Sequence, residues 1–241
     1  MFSLIYGDNY NAVSSEAYKI IRPFIDKDRA VLGLVTGSSP IGLYKKMIAD
    51  HNANGTSYRH VVAFGLDEYI GLPRDHDQSY WTFMHENLFD GLDILPANIH
   101  LPHGDVDDLE AECARYESIL RENVIDIQVL GIGSDGHIGF NEPGTSFDSV
   151  THVASLEDST RRDNARFFGE MVSRVPKKAI TMGLKSIMRA EHILVIAYGE
   201  KKAEAVRGMM QGDICEQCPA SILQKHPNVT VVLDRAAASR L

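Results

Sequence analysis

The chain has 241 residues, of which 44% are hydrophobic and 24% are charged, and its 24 Lys and Arg against 33 Asp and Glu give a formal charge of −9. No basic run could follow a phosphate backbone, which argues against nucleic acid as a partner. No stretch approaches the ~20 apolar residues of a membrane span and the amino-terminal sequence lacks a signal-peptide pattern, so we expect a cytoplasmic protein without a membrane partner.

Apolar, β-branched runs alternate with helical patterns along the whole chain, which is typical of parallel strands joined by crossover helices. Strands are predicted at 3–6, 30–35, 61–66, 125–131, 179–182, 193–197 and 229–233, with helices that include 40–53 and 110–123. No internal repeat and no linker marks a boundary between domains. The sequence therefore predicts a single domain over 1–241, a three-layer α/β/α, Rossmann-like fold with a mostly parallel central sheet.

A small, hydroxyl-rich turn follows the second predicted strand. It reads Thr36-Gly37-Ser38-Ser39-Pro40, with Ser39 expected as the N-cap and Pro40 as the first residue of a helix. Free N–H groups and the helix dipole would make this 36–39 turn a phosphate site. An ordinary turn between a strand and a well-capped helix explains the same residues. When this motif is taken alone, that structural interpretation is favoured over a phosphate site.

Two adjacent carboxylates, Asp67 and Glu68, stand at the end of the third predicted strand. A partly buried carboxylate beside a second one can act as a base with a shifted pKa. The alternative is that Asp67 caps the following turn and Glu68 is solvated. For a single acidic pair that alternative is the better interpretation.

A glycine-rich stretch, which we call the glycine loop (residues 131–144), follows the strand at 125–131. It contains G-x-G-x-x-G, but Pro143 interrupts the helix that a dinucleotide site would need. What remains is Asp135, His137 and Glu142 on one flexible segment, where they can orient and charge-couple one another. No second histidine stands at ligand spacing, so a metal is not indicated.

Two basic residues complete the candidate set. Arg166 lies in an Asn-Ala-Arg-Phe-Phe segment, and Lys202 lies in the first turn of the helix after the strand at 193–197. A cation there opposes the helix dipole, which is tolerable if it faces an anion. Taken singly, each is more often a solvated surface residue.

The three cysteines give no disulfide framework. Cys215 and Cys218 form a C-x-x-C pair, but a structural zinc site needs two further ligands, and Cys113 lies far away in the sequence. We therefore expect neither a metal site nor a redox role for the pair.

Taken together, these motifs resemble the glucosamine-6-phosphate deaminase family over essentially the whole chain. The resembling segments occur in the family's order at 36–40, 67–69, 133–143, 165–168, 199–203 and 219–226. Phe-Asn-Glu-Pro after Asp-Gly-His distinguishes the chain from the related 6-phosphogluconolactonases. The resemblance implies conversion of glucosamine 6-phosphate and water to fructose 6-phosphate and ammonia, in amino-sugar catabolism.

The resemblance also implies roles for individual residues. Asp67 corresponds to the base that moves a proton between C2 and C1, and His137 to the ring-opening catalyst, with Asp135 and Glu142 orienting the imidazole and favouring its charged form. The implied substrate-binding residues are Thr36, Gly37, Ser38, Ser39, Glu68, Gly136, Arg166 and Lys202. No metal or organic cofactor is implied, and the expected partner is a small-molecule sugar phosphate.

Two other functions share parts of this pattern. A lactonase would use the same Asp-Gly-His core, although the acidic pair and Glu142 argue against it. A non-catalytic sugar-phosphate sensor would normally carry a helix-turn-helix, for which the chain has no room.

Regulation is expected to differ from that of the family's longer members. Those are hexamers activated by N-acetylglucosamine 6-phosphate through basic residues, and the aligned positions here are His152 and Ala154. Because neither carries a permanent positive charge, we expect hyperbolic kinetics and a monomer or small homo-oligomer.

Overall fold

Strands and α-helices alternate along residues 2–241, the part of the chain that the computed structural model describes. The strands are β1 (Phe2–Gly7), β2 (Ala30–Leu34), β3 (Val61–Gly65), β4 (Asp67–Tyr69), β5 (Ile99–His100), β6 (Ile127–Leu130), β7 (His152–Ser155), β8 (Lys178–Thr181), β9 (Ile193–Ala197) and β10 (Val229–Asp234). The α-helices are α1 (Tyr10–Ile25), α2 (Ile41–Asn54), α3 (Tyr80–Asn87), α4 (Leu109–Glu122), α5 (Asp158–Asn164), α6 (Leu184–Ile187) and α7 (Ala203–Gln211). Short 3₁₀ helices, among them Ala165–Phe167 and Glu200–Lys202, connect some of them.

The central sheet has seven strands in the order β1-β10-β9-β6-β2-β3-β5, and every neighbouring pair is parallel. Its inner strands β2, β3, β6 and β9 are buried along their whole length, as expected for a parallel sheet covered on both faces by helices. The predicted α/β fold with a mostly parallel central sheet is therefore confirmed.

A second, three-stranded sheet has the order β4-β8-β7 and is antiparallel. Thr181 in its middle strand is in register with Asp67 on one side and His152 on the other. The strand predicted at 179–182 therefore exists, but its inclusion among the parallel strands is wrong. A short apolar run looks the same in either sheet, because pairing partners are not encoded in local periodicity.

The predicted start of the helix at 40–53 is wrong by one residue. Helix α2 begins at Ile41, and Pro40 occupies the N-cap position with φ −84° and ψ −11°, where it supplies no capping side chain. Ser39 is therefore not the N-cap. Because the N-cap residue itself offers no acceptor side chain, the first N–H groups of α2 must find acceptors elsewhere.

The direction in which the chain winds places a crevice at one edge of the sheet. From β2 the chain proceeds to β3 on one side, whereas β6, on the other side of β2, leads to β9. Ligands of open α/β sheets bind beyond the carboxyl ends of the strands at such a reversal. Among the described helices, none combines the length and the apolar character needed to cross a membrane.

Candidate active site

Four adjacent strands end at this crevice, and each is followed by a predicted site segment. The 36–39 turn follows β2, Asp67 follows β3, the glycine loop follows β6 and Lys202 follows β9. These segments are far apart in the sequence. The parallel sheet brings them to one edge, because the carboxyl ends of its strands all point the same way.

Glu68 lies under the amino end of α3 and is only 4% exposed. Its carboxylate accepts N–H bonds from Tyr69 (2.8 Å), Tyr80 (2.9 Å) and Trp81 (2.9 Å), so the solvated reading of this residue is wrong. Burial raises the pKa of Glu68 to about 7, although the three N–H bonds act to lower it. With both oxygens engaged, Glu68 holds α3 against β4, and direct contact with a substrate stays a prediction.

Asp67, also 4% exposed, has an oxygen, Oδ1, that is buried and makes no hydrogen bond within residues 2–241. Burial first, and then the charge of Glu68, raise the pKa of Asp67 well above 3.8. A buried carboxyl with a free oxygen and a raised pKa is suited to accepting a proton from carbon, because solvation does not stabilise its charged form.

The glycine loop brings an imidazole between two carboxylates. Nδ1 of His137 lies 2.7 Å from Oδ1 of Asp135 and 3.7 Å from Oε2 of Glu142. Burial by itself would raise the pKa of Asp135, but the hydrogen bond and the charge of His137 outweigh it and hold that pKa at about 2. Because Nδ1 faces the carboxylates, Nε2 is the nitrogen left to exchange protons with a ligand.

Two glycines explain how the loop presents this histidine. A Cβ on Gly133 would lie 2.3 Å from Nδ1 of His137, so the imidazole packs directly on the Gly133 backbone. Gly136 has φ +88°, and a Cβ there would lie 2.7 Å from Sγ of Cys218. Both positions therefore exclude a side chain, which accounts for their place in the motif.

Buried polar residues that sequence reasoning did not single out connect the loop to the strand of Asp67. Thr181, opposite Asp67 in the second sheet, accepts the N–H of Phe140 at 3.1 Å. Asn141 donates to the carbonyls of Ile138 (2.8 Å) and Met182 (2.9 Å). The position of Asn141 inside the Phe-Asn-Glu-Pro motif was the available signal, whereas nothing local marked Thr181.

The two predicted cations lie in short 3₁₀ helices outside the glycine loop. Lys202 ends the 3₁₀ helix Glu200–Lys202, and Arg166 lies in Ala165–Phe167, with its guanidinium 4.7 Å from the centre of the Phe167 ring. Burial lowers the pKa of Lys202, the charges of Asp163 and then Asp135 act to raise it, and the charge of Arg166 lowers it further. Among the described residues, neither belongs to an ion pair.

The carboxylates and the imidazole of the loop could also hold a metal ion. Ligand atoms of Asp135, His137 and Glu142 lie within 4.8 Å of one another. The set supplies no fourth protein ligand among residues 2–241, and the same atoms are explained by acid–base chemistry. The expectation of a metal-free site stays a prediction.

Comparisons with known proteins place this geometry among sugar-phosphate enzymes. Residues 9–232 match the family described as glucosamine-6-phosphate isomerases/6-phosphogluconolactonase. A glucosamine-6-phosphate deaminase of Halalkalibacterium halodurans is 48% identical over 240 residues, covering 99% of this chain and 97% of the relative. Glucosamine-6-phosphate deaminase 2 of Bacillus subtilis is 47% identical over 241 residues, with coverage of 99% and 97%.

Solved structures give the same result. A monomeric glucosamine-6-phosphate deaminase superposes with a TM-score of 0.97 at 45% identity, covering 99% of this chain and 100% of that one. A 6-phosphogluconolactonase of Thermotoga maritima superposes with a TM-score of 0.72 at 19% identity, covering 97% and 98% of the two chains. At that identity the second likeness shows a shared fold only.

Proposed function

The chain belongs to the family of glucosamine-6-phosphate isomerases and 6-phosphogluconolactonases, and we infer that within this family it converts D-glucosamine 6-phosphate and water to D-fructose 6-phosphate and ammonia. The observation that carries this choice is the presence of two separate acid–base groups at one crevice, the buried Asp67 carboxyl and the His137 imidazole with its carboxylates. Aldose–ketose isomerisation of a closed sugar needs both, one for the ring and one for the carbon. Lactone hydrolysis needs only an activated water.

The first step is ring opening by His137. With Nδ1 lying 2.7 Å from Asp135, we propose that Nε2 takes the proton of the O1 hydroxyl and returns a proton to the ring oxygen O5. The C1–O5 bond breaks and C1 becomes an aldehyde. Asp135 and Glu142 hold the imidazole of His137 in this orientation and compensate the positive charge that it carries between the two proton transfers.

The second step is proton transfer at carbon by Asp67. Its carboxylate removes the proton of C2 while the C2 ammonium passes one proton to O1, which gives a neutral enolamine, and the same carboxyl then delivers its proton to C1. Nitrogen at C2 is left as an imine, and water adds to C2 and expels ammonia to form the ketone. The substrate's C2 ammonium favours the charged form of Asp67, which burial and Glu68 disfavour in the free enzyme.

The substrate phosphate is proposed to bind between the 36–39 turn and the two cations. Thr36, Gly37, Ser38 and Ser39 offer backbone N–H groups and hydroxyls, with Gly37 at φ +90° and open space around its α-carbon. Arg166 and Lys202 supply the positive charge from the other side. Gly136 is proposed to contact the substrate through its backbone, because the side-chain direction at this glycine is filled by Cys218, and Glu68 to position α3 and Asp67.

Assembly and setting follow from the same proposal. We propose that residues 1–241 act as one domain in amino-sugar catabolism in the cytoplasm, with a sugar phosphate as substrate, as a monomer or small homo-oligomer. The monomeric deaminase of the same fold supports the smaller assembly.

One assay tests the proposed function. The purified protein is incubated separately with glucosamine 6-phosphate and with 6-phosphogluconolactone, and ammonia, fructose 6-phosphate and acid release are measured. We expect ammonia and fructose 6-phosphate in equal amounts from the first substrate, unchanged after treatment with EDTA. Turnover of the lactone alone would identify a lactonase, binding without turnover would identify a sensor, and loss to EDTA with recovery by a divalent metal would overturn the metal-free mechanism.

A further inference from the structure

Tyr10, the first residue of α1, lies across the 36–39 turn although it stands more than twenty residues before it in the sequence. Its hydroxyl donates to the carbonyl of Ser38 at 2.8 Å, with the carbonyl of Ser39 at 3.4 Å, and accepts the N–H of Gly42 at 2.8 Å. One hydroxyl therefore joins the turn to the beginning of α2. Neither the acid–base chemistry nor the family motifs account for this contact.

The hydrogen bond to Ser38 restricts how the turn can present its amides. In a trans peptide the carbonyl oxygen and the following N–H point in opposite directions, so holding the Ser38 oxygen toward Tyr10 holds the N–H of Ser39 away from it. The N–H of Gly42 is meanwhile engaged. Since Pro40 at the N-cap position offers no capping side chain, the Tyr10 hydroxyl takes the place of a capping group and orients the turn at the same time.

Close packing fixes the position of the tyrosine itself. A Cβ on Gly42 would lie 2.0 Å from Oγ of Ser14 and 3.1 Å from Cε1 of Tyr10, so α1 and α2 meet at van der Waals distance at this point. Oγ of Ser14 also donates to the carbonyl of Tyr10 at 2.8 Å. The ring therefore has little freedom to swing away from the turn.

The same ring contacts the segment that carries the lysine of the site. The edge-to-face contact with Tyr198 has a centroid distance of 5.3 Å and an interplanar angle of 66°. Tyr198 leads directly into Gly199, at φ +87°, and the 3₁₀ helix that ends at Lys202. Tyr10 thus touches both chain segments between which a phosphate is proposed to bind.

We propose that Tyr10 is a positioning residue for the substrate phosphate, which orients the 36–39 turn through its hydroxyl and spaces the turn from the Lys202 segment through its ring. This inference rests on the proposed function only for the identity of the phosphorylated ligand. It predicts that the hydroxyl affects phosphate affinity more than turnover, because the hydroxyl does not reach the reacting carbons.

Tyr10→Phe removes the hydroxyl and keeps the ring. Steady-state kinetics with glucosamine 6-phosphate should show KM raised about three- to tenfold, as expected for loss of one or two neutral hydrogen bonds, with kcat changed less than about twofold. Calorimetry should show the Kd of fructose 6-phosphate and of inorganic phosphate raised by a similar factor. Tyr6→Phe, the same substitution at a 53% exposed tyrosine at the end of β1, should match the wild type.

The outcomes separate the possible explanations. Unchanged KM and Kd would overturn the proposal, and so would a lower thermal midpoint with kcat reduced and Kd unchanged, since that pattern marks a purely structural residue. If the wild type fails to release ammonia from glucosamine 6-phosphate, the proposed function fails, but the two Kd values still decide the role of Tyr10. A wild type that binds neither phosphate ligand would overturn the positioning role as well.

Discussion

Replacing Glu68 by Gln should change how both stability and activity depend on pH. The wild-type carboxyl is buried, and its pKa rises from an ordinary 4.5 to about 7. Because the folded state binds this proton more tightly than the unfolded state, the stabilisation is complete below pH 4.5 and is lost as the pH rises through about 7. At roughly 1.4 kcal/mol per pKa unit, the loss amounts to about 3 kcal/mol.

The stability of the glutamine variant does not fall with pH in this way, but the variant is destabilised by a constant amount at every pH. Its single amide oxygen can accept the N–H groups that Oε1 accepts from Tyr69 and Tyr80, which leaves the N–H of Trp81 facing an NH₂ group. An unsatisfied buried donor costs about 1–3 kcal/mol at every pH. We therefore expect the variant to be less stable than the wild type at pH 5 and to reach or exceed its stability by pH 8.

Urea unfolding at pH 5, 6, 7 and 8 measures this difference directly. Glu112→Gln is a matched control, since Glu112 is also buried but pairs with Arg115 at 2.6 Å, which outweighs the effect of burial and lowers its pKa. The control should lose a nearly constant amount of stability from pH 5 to 8, because a carboxyl whose pKa lies below 4.5 stays ionised in both the folded and the unfolded chain over that range. A difference between Glu68→Gln and wild type that stays constant within about 0.5 kcal/mol across the series would refute the reasoning.

The same variant should shift the pH–rate profile. The charge of Glu68 raises the pKa of Asp67, so its removal lets Asp67 ionise at lower pH, and the acidic limb of kcat/KM should move to lower pH. Glu112→Gln should leave that limb in place. An acidic limb that does not move in Glu68→Gln would mean that Asp67 is not the base that the limb reports.

Asp67→Asn should fold and lose about 10²–10⁴-fold in kcat, since an amide cannot accept the C2 proton, and activity within about threefold of wild type would exclude Asp67 as the base. His137→Gln should reduce turnover of the closed-ring substrate more than that of an open-chain analogue, and equal losses would argue against ring opening. Lys202→Met or Arg166→Leu should raise KM about ten- to hundredfold, the value of one charged hydrogen bond to phosphate, whereas Lys201→Met, at an exposed neighbour, should not. Saturation curves should be hyperbolic with or without N-acetylglucosamine 6-phosphate, and a sigmoidal curve that this effector straightens would contradict the absence of activation.

Local pattern was sufficient for the fold class and for selecting the segments of the candidate site, whereas the roles of their residues came only from the family resemblance. β-branched runs alternating with helical periodicity predicted a parallel sheet, and motifs placed directly after strands predicted which segments would meet. The segments after β2, β3, β6 and β9 do begin at neighbouring positions on one edge of the central sheet. That much follows from the chain direction alone, because all strands of a parallel sheet share an orientation.

The tertiary structure decided what depends on partners distant in the sequence. It paired the strand at 178–181 antiparallel with β4, buried Glu68 under the amino end of α3, and brought the Tyr10 hydroxyl to the turn after β2. A strand, a carboxylate and a tyrosine each have the same local sequence signature whether or not such a partner is present. Their pairing, protonation and orientation depend on which N–H, C=O or charge the folded chain places beside them, and periodicity carries no information about that.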